Sequence, residues 1–158
     1  MTLSSVNQYT GATTIGTGST LTLDTNGTIE GSSGVSNAGT LTIVGSKTIN
    51  SMTGTSGTGI TLGANTLTIG DVTGTSSTYD GVISGTGGLT TVGTGSTLTL
   101  GGINDYTGAT MIGIGSTLTL DTNGTIEDRS GVSNAGTLTI VGSKNINSMT
   151  GTSGTGRT

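Results

Sequence analysis

Between Thr97 and Ile140 the chain reads Thr-Leu-Thr-Leu at 97–100, Thr-Leu-Thr-Leu again at 117–120 and Thr-Leu-Thr-Ile at 137–140. Alternation of an apolar residue with Thr has the period of a β-strand, so Leu and Ile should face one side and Thr the other. Thr is β-branched and suits a pleated surface. Leu98, Leu118 and Leu138 recur at every twentieth position, and so do Leu21 and Leu41, which sit in Thr20-Leu-Thr-Leu23 and Thr40-Leu-Thr-Ile43. A chain that returns to the same place at this interval stacks like strands on like, about 4.8 Å apart. The expected architecture is all-β: a parallel β-solenoid of about 20 residues per coil with Leu ladders inside. At that pitch the chain makes roughly eight coils and a rod of about 40 Å.

A larger repeat encloses the smaller one. Thr2–Gly59 recurs at Thr99–Gly156, a shift of 97 positions (99 − 2), and only nine of the 58 aligned positions differ. Near-identical units copied along a chain form elongated, quasi-one-dimensional proteins. The middle is less regular. Leu67 follows Leu41 by 26 positions (67 − 41) and Leu98 follows Leu67 by 31 (98 − 67), so central coils are expected to carry loops or extra turns. Asn26-Gly27 and Asn123-Gly124 predict turns that need positive φ. Asn-Gly is also a hairpin signal and leaves an antiparallel sandwich open, but the regular spacing of like strands favours the solenoid.

Composition narrows the chemistry. The 158 residues include 39 Thr, 32 Gly and 19 Ser, and no Pro, Cys, His, Trp or Phe. Any core is therefore thin and aliphatic, which suits a coil that buries a few side chains per layer. Without His or Cys there is no Ser–His or Cys–His nucleophile and no conventional zinc site. A net charge of −4, with Lys47, Arg129, Lys144 and Arg157 scattered, argues against nucleic acid. No apolar run is long enough for a membrane-spanning helix. Met1-Thr-Leu-Ser-Ser-Val6 has neither a basic nor an apolar signal-peptide region. Met1 aligns with Leu98, so the chain, one solenoid domain over 1–158, reads as a fragment of a longer protein.

The stretch Gly85–Leu120 reads Gly-Thr-Gly-Gly-Leu-Thr-Thr-Val-Gly-Thr-Gly-Ser-Thr-Leu-Thr-Leu-Gly-Gly-Ile-Asn-Asp-Tyr-Thr-Gly-Ala-Thr-Met-Ile-Gly-Ile-Gly-Ser-Thr-Leu-Thr-Leu. It resembles the passenger-associated β-strand repeat of bacterial autotransporters: a Gly-Gly-Leu opening, a Leu-Thr-Leu strand, Asn-x-Tyr-Thr-Gly-x-Thr-x-Ile, and a second Thr-Leu-Thr-Leu. The first copy keeps Asn7-Gln-Tyr-Thr-Gly-Ala-Thr-Thr-Ile15. The resemblance implies a single-stranded right-handed parallel β-helix in a secreted or cell-surface passenger, associated with the outer membrane through parts lying elsewhere. Such passengers are commonly adhesins or stalks. The repeat is structural, so no catalytic, cofactor or metal residues carry over from it.

Four functional readings follow. The first expectation is a non-enzymatic stalk or adhesin segment facing a host or surface receptor, with no membrane insertion by this segment. The alternative is a homopolymeric extracellular fibre built by end-to-end self-association, because solenoid ends expose strand edges. A lower alternative is an ice-binding solenoid. Thr97/Thr99, Thr117/Thr119 and Thr137/Thr139 would then form an outward ladder, although the irregular middle is expected to interrupt it. The plainer reading is that Thr is a strand former on a solvated face. An enzyme is the remaining class. The acids are Asp24, Glu30, Asp71, Asp80, Asp105, Asp121, Glu127 and Asp128, and the repeated pairs Asp24/Asp121 and Glu30/Glu127 read as solvated turn residues. Asp24–Glu30 and Asp121–Glu127 partly match a calcium loop but lack its final bidentate acid, so an Asp-capped turn is expected there. Tyr9 and Tyr106 should pack at a corner.

Overall fold

The computed structural model describes residues 1–70, 74–126, 131–151 and 156–157. The described residues contain no helix, and every strand pairing is parallel. The strands fall on three faces, which the chain visits in a fixed order. The first face stacks Thr2–Leu3, Thr20–Leu23, Thr40–Ile43, Gly59–Thr61 and Val82–Ser84. The second stacks Lys47–Ile49, Leu67–Ile69, Leu89–Thr91, Thr110–Ile112, Gly131–Asn134 and Ser148–Gly151. The third stacks Thr13–Ile15, Val35–Asn37, Met52–Gly54, Ser76–Tyr79, Thr97–Leu100, Thr117–Leu120, Thr137–Ile140 and Gly156–Arg157. The molecule is therefore a β-solenoid of stacked three-sided coils.

The alternation in the sequence becomes an inside and an outside. Leu21, Leu41, Ile60 and Ile83 form one buried ladder on the first face. Leu98, Leu118 and Leu138 form another on the third. Leu67 and Leu89 stack on the second. Side chains from the three faces meet in one narrow core that Leu23, Leu62, Ile69, Leu100 and Leu120 fill with almost no exposure. Thr at the intervening positions points outward.

The coil count is lower than expected. The third face has eight strands and hence seven inter-strand steps, about 34 Å in all. These steps run from Thr14 onward, and coil length varies along them: Ser36 to Thr53 is a step of only 17 positions (53 − 36), while the central coils are longer. Gly59 to Val82 is a step of 23 positions (82 − 59), and Thr53 to Thr78 is one of 25 (78 − 53). The expected extensions are therefore real but small. Most of the apparent irregularity has another origin: Leu41 lies on the first face, Leu67 on the second and Leu98 on the third. The two wide gaps between these leucines are not coil lengths, because each includes a change of face.

The same observation recasts the duplication. Thr20–Leu23 and Thr40–Ile43 lie on the first face, but their copies Thr117–Leu120 and Thr137–Ile140 lie on the third. Thr13–Ile15 lies on the third face and its copy Thr110–Ile112 on the second. The bridge Val6–Thr28 recurs as Ile103–Thr125, one face away again. From Thr2 to Thr99 the chain completes four turns and two further faces, a mean of about 21 residues per turn. One unit is thus read on different faces of the coil. Most of its inward residues stay inward: Ile15 and Ile112, Leu21 and Leu118, Ile29 and Ile126, and Val35 and Val132 are all buried, whereas Met52 is buried and its copy Met149 exposed.

The Asn-Gly turns depart from expectation. Neither Gly27 nor Gly124 has positive φ, and no described non-glycine residue does. Glycine is required there because the turn lies directly against the preceding coil. A Cβ on Gly27 would fall within bonding range of the Leu3 carbonyl, and one on Gly124 would overlap the Leu100 carbonyl. That wall is backbone held in a ladder and cannot move aside. Gly11, by contrast, has open space where a Cβ would stand, and its φ is ordinary. Gly124→Ala should therefore destabilise by about 1–3 kcal/mol, while Gly11→Ala should stay within about 0.5 kcal/mol. Chemical denaturation of the two variants measures the difference, and equal effects would refute the close-approach argument.

Candidate functional site

Asn-x-Tyr-Thr-Gly is the segment of each unit richest in polar and aromatic groups, and its side chains are used inside the wall. Asn104 is buried. Its Nδ2 donates to the carbonyls of Gly102 and Thr125, both at 2.9 Å, and its Oδ1 accepts from the Ile83 amide at 2.9 Å. One side chain thus joins three successive turns. Asn7 repeats the donor half of this bond set, to Ser5 at 2.7 Å and Thr28 at 3.1 Å. Two residues on, the Tyr106 hydroxyl meets Thr110 Oγ1 at 2.7 Å, and Tyr9 meets Thr13 Oγ1 at the same distance. Tyr106 is packed and fully buried, whereas Tyr9 keeps the hydroxyl contact but is 40% exposed.

Several residues buried in the wall are polar. Asn37 donates to the Gly59 carbonyl at 3.0 Å and accepts from the Gly39 amide at 3.0 Å. The Tyr79 hydroxyl lies 3.2 Å from Thr58 Oγ1 and 3.4 Å from Asn37 Nδ2. Gly54 leaves room for the Tyr79 ring, since a Cβ there would stand 2.5 Å from it. Lys47 occupies an inward register position aligned with Leu67 and donates to the Thr25 carbonyl at 2.9 Å. Lys144 makes the same bond to Thr122 at 2.6 Å. One signal does exist for Lys47: it stands where the alternation places an apolar side chain.

The acids stay apart. Asp24 Oδ1 accepts from the Thr25 amide at 2.7 Å, and Asp121 Oδ1 from the Thr122 amide at 2.6 Å. The carbonyls of the same two residues accept from Gly27 and Gly124, each at 2.9 Å. These are Asp-capped turns, as expected. Glu30 and Asp80 are exposed on separate turns. No three Asp or Glu side chains converge among the described residues, while Asp71, Glu127, Asp128 and Arg129 lie outside them. An open depression of about 330 Å³ is lined, among the described residues, by Ile103, Asn104, Thr125, Ile126, Ser143, Lys144 and Asn145.

What the coil does present is a hydroxyl lattice. On the third face Thr14, Ser36, Thr53, Thr78, Thr99, Thr119 and Thr139 follow one another in register. A second column beside it runs Ser76, Thr97, Thr117 and Thr137. The expected interruption in the middle of the chain spares the first column, because Thr78 bridges Thr53 to Thr99, but ends the second at Ser76. The first face carries Thr2, Thr22, Thr42, Thr61 and Ser84 in one column. On the second face, Met111 interrupts the column between Thr90 and Ser133.

Burial pushes the Tyr106 hydroxyl well above the ordinary phenol range, against a smaller lowering by Thr110. Tyr79 is raised by burial too, with Thr58 and Asn37 opposing. Both groups hold their protons longer in the folded chain than in the unfolded one. The unfolded chain therefore sheds protons first, and stability is lost as pH rises above about 10. Denaturation at about pH 9 and about pH 11 should show that drop, with a smaller drop in Tyr106→Phe. A drop unchanged by the substitution would show that Tyr106 does not contribute. Asn104→Ala should cost about 2–4 kcal/mol by leaving backbone groups unpaired, measured as lost thermal stability.

No family model matches this chain, and neither the curated proteins nor the solved structures include a significant match to it.

Proposed function

We propose that the chain is a non-enzymatic scaffold, a solenoid segment of an autotransporter-like passenger that is secreted or displayed at a bacterial surface. Its task is mechanical: it sets a distance between the cell and whatever the passenger presents. The observation that carries this reading is the use of the repeated motif. In both copies Asn7/Asn104 and Tyr9/Tyr106 bond turn to turn or close a corner, so the residues carrying the passenger resemblance are wall components. The separation of the acids among the described residues adds support.

A spacer has a property that an enzyme lacks, which is proportionality between sequence and length. Each added copy of the repeated unit spans four and two-thirds turns and should lengthen the rod by about 22 Å. The chain can be spliced between a secretion signal and an outer-membrane barrel, with an epitope at its distal end, in versions carrying one or two extra units. The epitope should be reachable on intact cells, and its height by atomic force microscopy should rise in equal steps. Retention of every version inside the cell, or a height that does not change with added units, would overturn the reading.

A further inference from the structure

The third face differs from the other two in the extent of its hydroxyl array, since the first face is two columns wide only at Thr20/Thr22 and Thr40/Thr42. Over four successive strands it holds two columns, pairing Ser76 with Thr78, Thr97 with Thr99, Thr117 with Thr119 and Thr137 with Thr139. Residues two apart on one strand lie about 6.7 Å from each other, and neighbouring strands about 4.8 Å. The four strands therefore form a grid about 14 Å tall, and the single column through Thr14 and Thr139 extends it to about 29 Å. Pairing is one residue to one residue throughout these strands, with no bulge to break the spacing.

Two features make the grid rigid and chemically uniform. Thr has a restricted χ1, so each stacked Thr has few directions open to its methyl and hydroxyl. Their backbones are fixed by the ladders on either side. Thr97, Thr99, Thr117, Thr119, Thr137 and Thr139 are each only partly exposed, because neighbours in the columns shield one another. The strands from Thr13 to Ile140 on this face contain no charged residue. Their one aromatic side chain, Tyr79, is buried in the core.

These properties select among possible occupants. A polyanion or a charged peptide finds no counter-charge, and a sugar ring finds no aromatic platform. A two-dimensional array of alternating methyl and hydroxyl groups is suited to holding water in a repeating pattern. The prism surface of hexagonal ice repeats its oxygen positions at distances of the same order in both directions. We infer that the third face, centred on Thr97, Thr99, Thr117 and Thr119, adsorbs to ice and restrains its growth. This inference is independent of the scaffold reading, since a spacer needs no lattice match.

The test uses the full chain and two outward substitutions. Thr119→Tyr places a ring in the middle of the grid, and Thr68→Tyr places one on the second face as a control. Circular dichroism first establishes that each variant remains folded. The parent chain should depress ice growth below the melting point, facet the crystal and partition into a growing ice hemisphere. Thr119→Tyr should lose most of the hysteresis gap, at least several-fold, while Thr68→Tyr keeps it. A folded parent that shows neither hysteresis nor partition into ice at millimolar concentration overturns the inference. So does activity that Thr119→Tyr leaves unchanged, or a face-to-face dimer that Thr119→Tyr dissolves in the absence of any ice binding.

Discussion

Each strand of this chain finds its backbone partners in the turns before and after it, so nearly all of its order rests on the parallel inter-coil ladder. A strand of three or four residues is far too short to persist alone, and among the described residues no helix or second layer of sheet covers it. Its stability comes from being one rung among many. The rest of the architecture follows from keeping those rungs about 4.8 Å apart. The core must be thin, which small and aliphatic side chains permit. Turns must be flat, which explains glycines at the closest approaches, such as Gly27 against Leu3 and Gly124 against Leu100. Polar side chains that do enter the wall must bond along the coil axis, as Asn104 and Lys47 do.

Much of this was legible in the sequence, because alternation and coil length are both local periodicities. The inward Leu and outward Thr of Thr117–Leu120 follow from four residues. The stacking of Leu98, Leu118 and Leu138 follows from equal spacing. Assignment to a face was not legible in the same way. Recurrence at every twentieth position identifies strands on one face, but the wider gap from Leu41 to Leu67 fits either a long coil or one coil plus a side. Leu41 and Leu67 are the second case. Only the pairing of Lys47–Ile49 with Leu67–Ile69 distinguishes the two. The buried polar residues were hidden for another reason. Asn and Lys are usually exposed, and what draws Asn37 or Lys47 inside is a carbonyl one turn away, which no local window contains.

The rotation of the duplicated unit by one face shows how little the sequence of a strand depends on its side of the coil. Thr-Leu-Thr-Leu packs equally well on the first face at Thr20–Leu23 and on the third at Thr117–Leu120. Leu21 and Leu118 enter the same core from different directions, and neither needs a partner specific to one side. Quasi-equivalence of this kind makes a copied segment of arbitrary length tolerable. The insertion must end in phase with a strand, but it need not complete a whole turn.

That tolerance has a consequence for the surface. Because the copies are out of phase, the long hydroxyl column on the third face does not join equivalent positions. Thr14, Ser36 and Thr53 come from strands whose copies lie on the second face, where Met111 replaces Thr14. Thr99, Thr119 and Thr139 come from strands whose originals lie on the first. Thr78, outside both copies, joins them. A motif copied for its inward packing thus assembles an outward lattice that neither copy contains alone. In a solenoid whose repeated Asn and Tyr side chains are engaged in the wall, chemistry at the surface arises from such repetition, because repetition is what the coil supplies at every turn.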